Sequence, residues 1–301
     1  MTRIHGTLLG RLSLLLISFA FLGAGSIPNG RAIPNSQPDI EDQDPFHEEG
    51  GLESSLDQTP PNSSNYLSED PFDITQGSVD QAQGFYSHGT LMNASEFDLE
   101  GDGFIKIFRP RMRGFATYDM TEVVAIAASQ LAQDYRNGER IQIGDVCAEH
   151  GGQLAEHISH QNGLDADIAY LRMNHHEQDP DVITGFEEIF VQNGKITANY
   201  DLERNWTFVK NIYATGRLVR IFMDPVIKAA ICEYTQQIGE NESGAEVLRR
   251  IRPLANHQDH MHIRITCPQK SPNCVAQALP PEGTGCDEVM PQPQPAPTSL
   301  M

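Results

Sequence analysis

The chain has 301 residues, of which 39% are hydrophobic, so it is long enough and apolar enough to build one large folded unit with a real core. Its formal net charge of −20 and pI near 4.8 exclude a nucleic-acid binder, because neutralising phosphates requires clustered Lys and Arg. The acidity is concentrated: no Lys or Arg occurs between Arg31 and Lys106, while Asp39, Glu41, Asp42, Asp44, Glu48, Glu49, Glu53 and Asp57 crowd the early part.

In chain order, residues 1–33 carry Arg3 and Arg11, an apolar run from Leu12 to Leu22 and small residues over Gly23 to Ser26. This is the layout of a secretory signal peptide, and the run is short for a hydrocarbon layer of roughly 30 Å. No cysteine follows it for a lipid anchor, so a removed export signal is expected, with periplasmic localisation and no stable membrane insertion. Residues 34–84, exemplified by DQTPPNSSNYLSEDPFD, are rich in Pro, Ser, Asn and acidic residues and poor in branched apolar ones. Such a stretch cannot offset its ordering entropy by burial, so it is expected to be a disordered linker or pro-region. The Pro-rich end, 289–301, is expected to be loose, which leaves the folded unit at 85–288.

Within that unit, Gly103 to Arg111 (GFIKIFRPR) predicts a strand, and Asp119 to Arg136 a helix with Val123, Ile126, Ala127 and Leu131 at helical spacing and Thr121 near its start. Arg140 to Val146 and Asp165 to Met173 read as strands. In Ile189 to Tyr200, Asn193-Gly194 between two alternating runs predicts a hairpin. A helix is expected over Asp201 to Ala214, a strand over Gly216 to Met223, and a helix over Asp224 to Gly239 with Pro225 in its first turn and Gly239 at its end. A short helix around Ala245 to Ile251 precedes the strand HMHIRI, His260 to Ile265. The order predicts an α+β fold: a small antiparallel sheet with helices packed on it.

Two dense patches carry candidate chemistry. HISHQNGLDADI places His157, His160, Asp165 and Asp167 within twelve positions, and His260 and His262 sit at i and i+2 of a strand, on one face. Catalytic zinc needs three N or O ligands with a fourth position for water, and these two elements could supply them. Spacing alone leaves a metal site and a polar cleft both open, since neither C-x-x-C nor H-E-x-x-H is present.

SHQNGLDADI together with NHQDHMHIRITCPQKSPNC closely resembles the two signature blocks of the penicillin-insensitive murein endopeptidases, which are LAS metallopeptidases of the lysostaphin, D-alanyl-D-alanine peptidase and hedgehog type. The resemblance extends through IGDVCAEHGGQL and, more loosely, SHGTLMNASEFDLEGDGFIKIFRPRMRGFATYDM. It implies the hedgehog-type zinc peptidase fold, a Zn2+ ion on His160, Asp167 and His262, with His157 at a further metal-associated position, and catalytic roles for His260 and His257. The implied activity is hydrolysis of the peptidoglycan cross-link between D-alanine and meso-diaminopimelate. Two alternatives remain: a D-alanyl-D-alanine carboxypeptidase of the same fold, and a non-catalytic zinc-containing module that binds the cell wall. Asp165 shares a strand face with Asp167 and could orient a ligand histidine.

Five cysteines in an exported chain suggest disulfides with one thiol left over. The resemblance pairs Cys267 with Cys274 and Cys232 with Cys286. Thr90 stands where relatives have a further cysteine, so a third bridge is expected to be missing and Cys147 is the remaining thiol, expected buried and inert because no separate nucleophile site is evident. DLEGDGFIKIFR imitates the start of a calcium loop but has Arg109 at its twelfth position. His175 and His176 are expected in a solvated insertion, Asp201 as a helix cap or, with Asn205, at the border of the cleft, and Trp206 in the core. Arg109, Arg111 and Arg172 could meet substrate carboxylates but are expected to be solvated.

Overall fold

A computed structural model describes residues 79–290, so the expected leader at 1–33, the acidic segment up to residue 78 and the tail beyond residue 290 lie outside the described residues. Folded structure begins slightly before the expected boundary at Phe85. Strands β1 (Gln81–Phe85) and β2 (His88–Met92) form an antiparallel hairpin, and Ala82 is fully buried. Strand β3 (Ser95–Glu96) pairs with β6 (Phe115–Ala116), and β4 (Glu100–Gly101) leads into β5 (Phe104–Lys106). The expected long strand to Arg111 stops at Lys106 and is followed by a 3₁₀ turn over Arg109–Arg111, whose second residue is Pro110.

Helix α1 (Tyr118–Asp134) buries Val123, Val124, Ala127 and Leu131, while Ile126 faces outward at 41% exposure. Its cap is Thr117, which accepts a hydrogen bond from the Met120 N–H, rather than Thr121. Strands β7 (Ile141–Ile143) and β8 (Asp165–Ala169) follow, then β9 (Val191–Gln192) and β10 (Lys195–Ile196). The last two form the predicted hairpin, and Asn193 (φ 52°) and Gly194 (φ 71°) take the left-handed conformations that a two-residue turn of this kind requires. Helix α2 (Leu202–Ala214) is capped by Asp201, strand β11 (Leu218–Met223) follows, and α3 (Pro225–Gln237) starts on Pro225 behind the Asp224 cap. Helix α4 (Ala245–Arg250) runs into β12 (Ile251–Pro253), and β13 (His260–Ile265) completes the set.

Seven strands make one sheet in the order β12-β11-β13-β8-β7-β5-β4. The α+β class holds, but the sheet is mixed rather than antiparallel: β5 pairs with β7 and β11 with β12 in parallel. Both parallel pairs are joined through helical crossovers, α1 in the first case and α3 with α4 in the second, which is the connection parallel neighbours need. The central strands β8 and β13 are buried along their whole length. One face, with Ala166, Ile168, Met261, Ile263 and Ile265, joins the hydrophobic core with Val123, Val209 and Ile212 of the helices. The other face carries Asp165, Asp167, His260, His262 and Arg264, so the period-2 alternation of these strands separates core from chemistry.

Cys232 of α3 is bonded to Cys286, and Cys267 to Cys274 in the loop after β13. Cys147 is free and buried, and burial pushes its thiol up to about 12, which leaves it protonated and inert at neutral pH.

Candidate metal centre

The antiparallel pairing of β13 with β8 sets His262 directly opposite Asp167 and Arg264 opposite Asp165. Paired positions project to the same side of a sheet. His262 Nδ1 accordingly lies 3.2 Å from Asp167 Oδ1. The third side chain arrives from the loop between β7 and β8. His160 sits at φ 64°, a left-handed conformation uncommon for a side-chain-bearing residue, and its Nε2 is 3.2 Å from Asp167 Oδ1 and 3.1 Å from His262 Nδ1. The three donor atoms thus form a nearly equilateral triangle, and each side chain is at most 2% exposed. Tetrahedral zinc with bonds of 2.0–2.1 Å calls for ligand separations of about 3.3 Å.

The outer atoms of both imidazoles are held so that the inner atoms present lone pairs. His160 Nδ1 is 2.6 Å from the Val146 carbonyl, which can only accept, so Nδ1 carries the proton and Nε2 turns its lone pair toward Asp167 and His262. His262 Nε2 lies 3.2 Å from Asp165 Oδ1, which leaves Nδ1 facing inward. Asp165 is held in turn by Arg264, through Nε at 2.8 Å and Nη2 at 3.1 Å, and accepts from the His160 backbone N–H. Burial pushes the Asp165 carboxyl pKa up, but Arg264 and His262 outweigh it and hold the group well below the usual carboxylate range. Asp167 Oδ1 is buried between the two imidazole nitrogens, 3.2 Å from each. A carboxylate and two imidazole lone pairs packed face to face away from water are costly unless a cation sits among them. The donor set therefore fits a divalent metal with N and O ligands.

Asp165→Asn tests this support directly. Retaining the fold but losing the charge that orients His262 should weaken the affinity for a divalent metal by about 10- to 100-fold, read by competition with a chelator. Unchanged affinity would remove Asp165 from this role.

His157 stands beside the triangle. Its Nε2 is 3.2 Å from Asp145 Oδ2, and its Nδ1, buried without a hydrogen-bond partner, points at Asp167 Oδ2 across 3.8 Å. His157, His160 and Asp167 form a second possible donor group, with ligand atoms within 4.8 Å of one another. The two sets share two residues, and the one completed by His262 is the tighter. Asp145 is buried and ion-paired to Arg111 and Arg113 at 2.7 and 2.8 Å. Burial raises its carboxyl pKa, but hydrogen bonding to His157 and the charge of Arg111 bring it down to about 2.

His260 occupies the edge of the cluster at 8% exposure. Its Nδ1 is 2.7 Å from Asp259 Oδ1, its Nε2 is 3.7 Å from Asp167 Oδ1, and its ring stacks on Phe186 with centroids 4.8 Å apart. Burial lowers its pKa, while Asp167 and Asp259 raise it further, to about 9. A cation on Asp167 would cancel that carboxylate's contribution and return His260 toward neutrality. The His257 ring is 5.0 Å from that of His260, with Nδ1 2.9 Å from the Ala255 carbonyl. Phe222, paired with His262 across β11, supplies an apolar wall 5.4 Å from the His262 ring.

Every residue singled out in the two sequence patches is therefore in this cluster. Asp145, Asp259 and Phe186 are additions that sequence reading missed. Asp259 adjoins HMH and Asp145 lies one residue before the end of a predicted strand, both weak signals; Phe186 carries none, being brought in from a distant segment.

The other candidates resolve differently. Glu100 of the calcium-like loop pairs with Arg109 and Arg140, and Asp102 accepts from Ser129 Oγ. His175 contacts Glu139, and His176 contacts Glu187. Arg172 is not solvated: it is 2% exposed, donating to the His176 carbonyl and facing Glu187 and Glu188. Arg111 is bound to Asp145, and Arg109 to Glu100. Asp201 is the α2 cap, Asn205 bonds the Leu171 backbone, and Trp206 is buried in the core.

A sequence model of the penicillin-insensitive murein endopeptidases matches residues 82–294. Relatives named penicillin-insensitive murein endopeptidase include one from Haemophilus influenzae, 31% identical over 68% of this chain and 70% of the relative. One from Klebsiella pneumoniae is 28% identical over 71% of this chain and 77% of its own length, and one from Salmonella paratyphi C is 29% identical over 68% and 73%.

Proposed function

The chain belongs to the penicillin-insensitive murein endopeptidase family, and from that premise we propose that it is an exported zinc metallopeptidase that cuts the D-alanine to meso-diaminopimelate cross-link of peptidoglycan. The observation that carries the reading is the donor triangle of 3.1 to 3.2 Å edges made by His160, Asp167 and His262. These three would hold the ion, with His157 beside them as a further donor. When bound, zinc supplies Lewis acidity toward a peptide carbonyl and lowers the pKa of water to about 7.

The chain's own groups do the rest. The Asp259 carboxylate accepts the Nδ1 proton of His260, so Nε2 is the atom that takes up or releases a proton. That atom is the one directed at the Asp167 side of the cluster. His257, one ring further out, assists through its proximity to His260. Phe222 and Phe186 flank the histidines with apolar surface, which limits water and strengthens electrostatic interactions at the reacting bond. Export to the periplasm agrees with a wall substrate, and no described helix is long and apolar enough to cross a membrane.

The test is incubation of the zinc-loaded protein with purified sacculi and with monomeric pentapeptide, with mass spectrometry of the products. Conversion of dimeric to monomeric muropeptides, lost on chelation and restored by zinc, is expected. Loss of terminal D-alanine alone would indicate a carboxypeptidase, and no cleavage in any state a wall-binding module.

A further inference from the structure

We propose that Phe186 is a positioning residue that sets the ring plane of His260, an inference that rests on the proton-transfer role given to His260 above. The two rings are stacked, 4.8 Å apart and 15° from parallel, whereas the other ring pairs of the cluster cross at 41° to 84°. The hydrogen bond to Asp259 restrains the imidazole through one atom, but that carboxylate belongs to the adjacent residue, its side chain is 30% exposed, and it can follow the ring through part of the broad torsion about Cβ–Cγ. A flat apolar surface against one face removes that freedom and keeps Nε2 aimed across the donor triangle.

The stack is built. Phe186 belongs to the polar segment between Arg172 and Phe190, which is anchored rather than loosely solvated. Arg111 donates from Nη2 and Nε to the Ile183 carbonyl at 2.7 and 3.2 Å, the Arg109 N–H donates to Pro180, and the Gln178 N–H to Gln142 Oε1. Behind Phe186 stands Phe108, edge-on at 5.0 Å, with the Arg111 guanidinium 4.1 Å from the Phe108 ring centroid. Phe108 is 1% exposed and sits at φ 56°, a region that bulky side chains rarely enter. Gly144 completes the seat: a Cβ there would lie 2.7 Å from Phe186 Cζ. A glycine and a second phenylalanine, itself covered by an arginine, thus back the one ring that lies on His260.

The experiment compares Phe186→Ala and Phe186→Leu with the wild type in the full-length zinc-loaded protein. Both variants should keep zinc content and hold KM within about twofold, with kcat reduced by about 10- to 100-fold, as expected of a displaced catalytic group. Independently of turnover, the His260 ring protons should be shifted upfield in NMR spectra of the wild type by the facing aromatic ring. That shift should vanish in both variants. Full activity in Phe186→Ala, wild-type kcat in the bulky but non-planar Phe186→Leu, or an unshifted His260 in the wild type would overturn the proposal. A wild-type protein that shows the shift yet never cleaves wall peptide would instead refute the function assigned to the site.

Discussion

His260→Ala should retain one equivalent of zinc and lose turnover by about 10²- to 10⁴-fold, the range over which a positioned acid or base contributes. His260 lies outside the tight donor triangle, its Nε2 3.7 Å from Asp167 Oδ1, so its removal leaves three donors in place. What disappears is the proton-carrying atom held in orientation by Asp259. Metal analysis of the purified variant beside muropeptide cleavage separates the two roles. Undiminished turnover at equal metal content would sink this assignment, and loss of the metal would move His260 into the ligand set.

His262→Ala should behave oppositely, emptying the site and abolishing cleavage at ordinary zinc concentrations. The substitution removes one corner of the triangle and leaves Asp165, still held by Arg264, without the imidazole it orients. Zinc content by elemental analysis should fall to background, with the secondary structure intact by circular dichroism. Retained stoichiometric zinc would show that His157, His160 and Asp167 suffice, since that alternative group spans 4.8 Å without His262. The pair of variants thus decides between the two overlapping donor sets.

Much of the architecture can be read from local pattern. Asn193-Gly194 marks its hairpin because both turn positions need positive φ, and Asp224-Pro225 marks the start of α3 because a capping carboxylate and a preset φ are required there. The β1–β2 hairpin is not legible in this way. Its first strand, QAQGF, carries only Ala82 and Phe85 as apolar residues and continues the polar composition before it. Pairing with β2 and burial of Ala82 give it order that composition does not announce. The parallel pairs of the sheet are equally silent, because they are created by crossovers and not by any property of β5, β7, β11 or β12 alone.

The same division runs through the site. From sequence alone came the residue types, the family resemblance and the shared faces: His260 with His262, and Asp165 with Asp167, because a strand alternates its side chains with period two. Only the tertiary structure decided that His262 pairs with Asp167 in register, that Asp145 holds His157, and that Phe186 lies flat on His260. Those contacts join different elements, two of the three from distant parts of the chain, and their geometry is set by strand register and packing, which local spacing does not encode.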